Sequence, residues 1–141
     1  MRRRTALAAA GAGTAGALAG CAGLFENVSS SYENGRYLGC VGNAYPNRIE
    51  YACRTFDGEA GRVFRVERGT TLALSCRVDV DAGRVRFHVT DPDGDDEWAH
   101  EHEGPATHET SASVEIASTG RYTVGVVGED VRGEVELEWT R

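Results

Sequence analysis

Alternating apolar residues are the feature that most constrains the fold of this 141-residue chain. Runs with this two-residue period occupy positions 49–53, 64–66, 72–80, 85–89, 112–116, 122–126 and 135–139. Side chains two positions apart on a strand point to the same face, so each run predicts a strand with one buried face. No stretch shows the i, i+3, i+4 spacing of an amphipathic helix. The pattern therefore predicts an all-β protein.

Short turn-forming segments separate these runs. They are Arg68-Gly69, Asp81-Ala82-Gly83, Asp91-Pro92-Asp93-Gly94, Ser118-Thr119-Gly120 and Gly128-Glu129-Asp130. Short strands divided at regular intervals by Gly, Pro and Asp are typical of antiparallel sandwiches. We predict a single antiparallel β-sandwich of about seven to eight strands over residues 36–141.

Two motifs add a family resemblance over residues 62–140. The first is Gly83-x-Val85-x-Phe87-x-Val89-x-Asp91-Pro92-x-Gly94, and the second is Gly120-x-Tyr122-x-Val124. Together they resemble the emp24-type GOLD sandwich and related jelly-roll modules of secreted proteins. In those modules the Asp-Pro-x-Gly closes a hairpin and the Gly-x-Tyr begins an inner strand. The resemblance implies a binding or structural module. It does not extend to cargo-receptor behaviour, because the coiled coil and transmembrane helix of the emp24 family have no counterpart here.

The beginning of the chain has the features of an export signal. Arg2-Arg3-Arg4 precedes a small, apolar run that ends in Leu18-Ala19-Gly20-Cys21. A charged start, an apolar stretch and small residues before a cleavage point are typical of exported chains. The Arg3-Arg4 pair and the Leu-Ala-Gly-Cys lipobox resemble a Tat-exported bacterial or archaeal lipoprotein. The resemblance implies that residues 1–20 are removed, that Cys21 carries lipid, and that the protein is anchored on the extracytoplasmic face of the cell membrane.

An uncleaved transmembrane helix is the alternative for residues 1–20. A spanning helix needs about 20 strongly apolar residues, whereas this run is mostly Ala and Gly, with Leu7 and Leu18 as its large side chains. The lipoprotein signal is therefore favoured, and residues 21–35 are then a lipidated, flexible linker. Within it, Asn27 is a candidate glycosylation acceptor in the sequon Asn27-Val28-Ser29; an unmodified linker is the alternative.

The charge of the mature chain excludes one class of partner. Without its first 20 residues the chain has 12 Arg, no Lys and 22 acidic residues, which is a formal charge of −10. A surface of this sign repels nucleic acid. The acidic excess and the absence of lysine resemble the secreted proteins of extreme halophiles. In molar salt the Debye length falls to about 3 Å, so repulsion between the carboxylates is largely screened.

Three cysteines remain beyond the lipobox. A hairpin around residues 45–48 would place Cys40 opposite Cys53, and a bond closing this loop would stabilise the fold by about 3 kcal/mol. Cys53 with Cys76 is the competing pair, since both lie on apolar faces of predicted strands. We favour the Cys40–Cys53 bond, which leaves Cys76 as a small buried apolar residue.

The stretch Trp98-Ala99-His100-Glu101-His102-Glu103 suggests metal chemistry. On a strand His100 and His102 would share one face, and His108 or His88 could supply a third ligand. Copper or zinc would be the ion. The alternative is an exposed loop or edge rich in His and Glu that binds no metal.

A cluster of acidic residues suggests calcium as a second candidate ion. Five carboxylates stand between Asp91 and Glu97, and carboxylate oxygens are the ligands that Ca²⁺ prefers. An EF-hand loop requires glycine at its sixth position, whereas Gly94 is at the fourth. An acidic hairpin turn without an ion is therefore preferred.

Catalytic motifs are missing from the sequence, which contains no Gly-x-Ser-x-Gly elbow and no phosphate-binding glycine loop. We predict a non-catalytic, membrane-anchored binding or structural module of the cell envelope, without a resident cofactor. Trp98 is the candidate contact for an envelope protein or a glycan, or else its ring folds back over the end of the sandwich. A copper- or zinc-binding lipoprotein that uses His100 and His102 is the alternative function.

Overall fold

The structure is a computed structural model that describes residues 30–141. Four of the predicted functional positions lie outside the described residues: Arg3 and Arg4 of the export signal, the lipidation site Cys21, and the candidate acceptor Asn27. Between residues 30 and 141, no helix has the length and apolar character needed to cross a membrane.

Seven antiparallel strands make up the described part of the chain. They are β1 (Ser30–Leu38), β2 (Val41–Tyr45), β3 (Arg48–Val66), β4 (Thr71–Thr90), β5 (Asp96–Glu103), β6 (Ala106–Glu115) and β7 (Gly120–Thr140). Hydrogen bonds join them into one open sheet with the order β1-β3-β7-β4-β5, in which β2 also pairs with β3 and β6 with β4. The predicted all-β class is confirmed.

The three long strands β3, β4 and β7 bend in the middle, so the sheet folds into two facing layers. Their pairing register shifts near residues 53–58, 80–84 and 128–133. The first layer contains β2, β6 and residues 48–53, 71–80 and 133–140. The second layer contains β1, β5 and residues 56–66, 84–90 and 120–128. The rings of Phe64 and Trp139, one from each layer, stack with centroids 5.9 Å apart. The result is the predicted sandwich.

Two of the predicted turns are bends inside continuous strands. Residues 81–83 lie within β4 and residues 128–130 within β7. Gly83 has a φ of +94°, and a Cβ there would lie 2.4 Å from the carbonyl oxygen of Asp130, whose own φ is +51°. The two bends therefore touch each other, and a larger residue than glycine does not fit. Tight turns and bulges use the same residues, so the sequence pattern does not distinguish them.

The core lies between the two layers and follows the predicted alternation. The five alternate residues of the 72–80 run are each 3% exposed or less, and Val85, Phe87 and Val89 are completely buried. Full burial of a side chain of this size contributes about 1.5–3 kcal/mol. The alternation thus identifies the face of each strand that stabilises the sandwich.

The folded domain begins earlier than the sequence pattern indicates. Residues 30–35 were assigned to the linker, but they belong to β1 and pair with residues 58–63 of β3. Polar contacts supplement this pairing: the Tyr37 hydroxyl donates to the carbonyl of Glu59 at 2.7 Å, and the Asn34 amide donates to its carboxylate at 3.3 Å. Most of β1 is exposed, so it carries little of the apolar alternation that reveals the other strands.

The Cys40–Cys53 disulfide is confirmed, with the two Cα atoms 4.0 Å apart. It flanks a β2–β3 hairpin that has the predicted register, with Val41 opposite Ala52. The competing Cys53–Cys76 pairing is wrong. Cys76 is a free cysteine, 2% exposed, and burial raises the pKa of its thiol to about 12.

Candidate functional site

One open edge of the sandwich is formed by β5 of the second layer and β6 of the first. On β5, Trp98, His100 and His102 stand opposite buried residues of β4. Their side chains therefore point toward the space between the layers, and each is half-buried. His108 on β6 stands opposite the buried Val78 in the same way and is exposed. We call these four side chains the ring edge.

The rings of the ring edge contact one another in sequence. Trp98 stacks on His100 with centroids 6.2 Å apart, and the centroids of His100 and His102 are 4.6 Å apart. Across the gap between the layers, the ring centroids of His102 and His108 are 5.1 Å apart. The His102 ring also meets the buried Phe87 edge-on at 6.3 Å. The fold thus brings together three of the residues proposed as metal ligands and places the proposed contact residue beside them.

The surroundings of His102 influence its protonation. Burial, and then the neighbouring rings of His100 and His108, lower the pKa of His102 below its usual 6.5. His102 is therefore mainly neutral near pH 7. A neutral imidazole offers one nitrogen as a donor and one as an acceptor. His100 has a polar neighbour as well, since its Nε2 lies 3.5 Å from the Thr110 hydroxyl.

His88, the other candidate for a third ligand, lies apart from this cluster. It alternates with Phe87 and Val89 on β4 and so points to the outer face of the second layer, where its ring covers Gly125. Its Nδ1 is 2.8 Å from the Thr90 hydroxyl, and the residue is 7% exposed. Burial and the charge of Arg86 lower its pKa. The interpretation of His88 as a metal ligand is wrong, because it lies on the opposite face of the strand.

Neither proposed ion site has a completed ligand set in the structure. Across residues 30–141, no group of three or more His, Cys, Asp or Glu side chains is placed to hold a metal ion. In the acidic segment, the Asp91 carboxylate accepts the backbone N–H groups of Asp93 and Asp95, both at 2.9 Å. The Gly94 N–H donates to the Asp91 carbonyl at 3.0 Å. Asp91 therefore organises a tight turn between β4 and β5.

The opposite edge of the sandwich contains a cleft that the sequence pattern does not predict. It has a volume of about 320 Å³ and is lined mainly by Ser31, Glu33, Ile49, Tyr51, Ala60 and Arg62. Ser31 and Glu33 lie in the segment that the sequence pattern predicts to be linker. One signal was available: Arg62 continues the alternation of Phe64 and Val66 and so puts a charge on an otherwise apolar face. We call this the polar cleft.

Comparison with known proteins assigns no family. No protein-family model matches the chain, and no curated protein matches it. Among solved structures, a CBM4 structure has a TM-score of 0.49 and 8% identity, covering 79% of this chain and 84% of the other. TmCBM61 in complex with β-1,4-galactotriose has a TM-score of 0.45 and 13% identity, with coverages of 80% and 88%. The CBM36-1 domain of a multidomain xylanase from the hindgut metagenome of Trinervitermes trinervoides has a TM-score of 0.44 and 14% identity, with coverages of 79% and 94%. At these scores no ligand or activity is transferred to this chain.

Proposed function

We propose that this chain is a non-catalytic binding module held on the extracytoplasmic face of a cell membrane by lipid on Cys21. The lipobox and the twin arginine support the anchor, and the ring edge supports the binding role. In this proposal the tether is short, because β1 begins at Ser30. The partner is an envelope protein or a glycan.

The ring edge is the observation that carries the binding role. Its three β5 side chains occupy positions that buried apolar residues fill elsewhere on the inner faces of the sandwich, yet they remain half-exposed. Aromatic side chains supply a large, rigid contact area at low entropic cost, and tryptophan is enriched among residues that dominate interface energy. Trp98, whose ring stacks on His100, is therefore the residue of the ring edge that we expect to contact a partner.

The binding role is tested by co-sedimentation of the full chain with delipidated cell envelopes in molar salt. Trp98→Ala should weaken the interaction about 30-fold or more, because truncation of a tryptophan that dominates an interface costs about 2 kcal/mol or more. Glu97→Ala is the matched control, since Glu97 is the exposed neighbour and lies outside the ring edge. Equal retention of Trp98→Ala and the unaltered protein would exclude the ring edge as the binding surface.

The anchor is tested separately by cell fractionation. Cys21→Ala removes the acceptor of the lipid, so the protein should appear in the medium or accumulate as an unprocessed precursor. Continued membrane retention of a processed Cys21→Ala protein would contradict the anchor and leave the binding role to be judged by the Trp98 experiment.

Metal binding is the second candidate function, and the contacts among His100, His102 and His108 favour it. Imidazole suits copper and zinc, and the lowered pKa of His102 leaves it neutral and able to bind a metal. Binding requires the rings to rotate toward a common point. The test is the metal content of the full chain, purified in high salt without chelator or affinity histidines. His100→Ala and His102→Ala should each abolish stoichiometric copper or zinc, whereas Glu101→Ala should not. A metal-free protein would reject this function.

A further inference from the structure

The polar cleft is a site separate from the ring edge, at the other open edge of the sandwich. It lies between β1 of the second layer and the first half of β3 in the first layer. In the described part of the chain, β1 and β2 each pair only with β3, so nothing there closes this edge. Its volume of about 320 Å³ is at the lower end of the range of roughly 300–1,000 Å³ found for small-molecule sites.

The polar groups of the cleft combine a cation, an anion and a hydroxyl. On the paired strands Ser31 is opposite Arg62, and Glu33 is opposite Ala60. Glu33 and Arg62 are therefore diagonal neighbours, with Cα atoms about 7–8 Å apart. The Tyr51 hydroxyl donates to the Glu33 carboxylate across the gap between the layers. The two opposite charges largely cancel, so the cleft offers hydrogen-bonding groups without a net charge.

The floor of the cleft is formed by Ile49, Ala60 and the Tyr51 ring. Ile49 and Ala60 are 4% and 2% exposed. The Tyr51 ring packs against Tyr37 and Phe56, with centroids 5.3 and 5.8 Å apart. Glycine at position 42 of β2 makes room for this ring, because a Cβ there would lie 2.3 Å from Cδ1 of Tyr51. The hydroxyl that faces Glu33 is thus held in position by packing.

We propose that the polar cleft binds one or two rings of a neutral sugar. Sugar hydroxyls both donate and accept, so they can donate to the Glu33 carboxylate and accept from the Arg62 guanidinium. Ile49, Ala60 and the Tyr51 ring, which are almost completely buried, form a shallow apolar floor beneath the ligand. A ligand with net charge gains less, because Glu33 repels anions and Arg62 repels cations. The polar cleft does not include Trp98, so this proposal does not depend on whether the ring edge binds a partner.

Saturation-transfer NMR on the full chain in molar salt tests the proposal, with maltose, cellobiose, lactose and glycine as probes. At least one disaccharide should bind, and Tyr51→Phe and Arg62→Ala should each raise its Kd at least 10-fold. Tyr51→Phe keeps the packed ring, so it is the variant that preserves the fold, and near-UV circular dichroism verifies this. Asn34→Ala is the matched control, because Asn34 is next to Glu33 but points to the outer face.

Three outcomes would overturn the assignment: no disaccharide binds, only the zwitterion glycine binds, or sugar binding is unchanged in Tyr51→Phe and Arg62→Ala. The Trp98→Ala variant keeps the polar cleft intact, so a loss of envelope binding in this variant reports on the ring edge alone. The two sites can therefore fail separately.

Discussion

Removal of the Cys40–Cys53 disulfide is the perturbation whose magnitude follows most directly from the structure. The two residues are 13 positions apart, so the bond closes a loop of about 14 residues in the unfolded chain. The loss of unfolded-state entropy for such a loop corresponds to about 3 kcal/mol at 25 °C. The double variant Cys40→Ala/Cys53→Ala should therefore unfold with an equilibrium constant roughly 100-fold larger, and its Tm should fall by on the order of 10–20 °C.

The position of the bond adds a local effect to this global one. Cys53 is 8% exposed and belongs to the core, while Cys40 is half-buried against it. β2, which follows Cys40, has five residues and pairs only with β3 among the described strands. Without the bond β2 should detach first. Amide exchange across Val41–Tyr45 should accelerate more than exchange in the middle of β4.

Urea denaturation in molar NaCl, followed by tryptophan fluorescence, measures the free energy of unfolding. Reduction of the unaltered protein should lower its stability to that of the double variant, whereas the same reductant should leave the double variant unchanged. If the double variant lost less than about 1 kcal/mol, the entropic argument for this loop would be refuted.

Three further predictions concern the core and the titratable groups whose pKa values are shifted by folding. Phe87→Ala should destabilise the protein by about 3–5 kcal/mol, since Phe87 is completely buried, whereas Val41→Ser, at a residue 75% exposed, should change stability by less than about 0.5 kcal/mol in the same urea assay. The buried Cys76 thiol, with its pKa of about 12, should resist iodoacetamide at pH 8 in folded protein and react after unfolding; rapid native labelling, detected by peptide mass spectrometry, would contradict its burial. Folding lowers the pKa values of His88 and His102 below 6.5, so stability present above about pH 6.5 should be lost as the pH falls through these lowered values, and His102→Gln should reduce that dependence; an unchanged pH profile of Tm would disprove the contribution of His102.

The fold class and the buried faces could be read from the sequence, because a strand with one buried face repeats its apolar side chains every second residue. The runs at 72–80 and 85–89 are buried at the predicted positions. The boundaries of the strands are harder to predict from the sequence. The bends at 81–83 and 128–130 carry the same Gly and Asp residues as real turns, and β1 is held by backbone pairing rather than by an apolar face.

The candidate site was only partly visible in the sequence. The spacing of His100 and His102 indicates a shared face because they belong to one strand. Whether His108 or His88 joins them depends on which strand lies across the edge and which side of β4 each residue faces. The polar cleft was not predicted, since Glu33 and Arg62 belong to different strands and become diagonal neighbours only through the register of β1 on β3.

The sequence by itself thus determined what is local: the strand period, the β2–β3 hairpin that favours the Cys40–Cys53 pairing over Cys53–Cys76, and the shared face of His100 and His102. Each follows from backbone geometry over a few residues. Only the tertiary structure decided where the long strands bend, which rings meet across the ring edge, and how Glu33, Tyr51 and Arg62 converge. These features depend on the packing of two layers whose contacting residues are far apart in the chain. The alternation along a single strand does not show which distant residues come into contact.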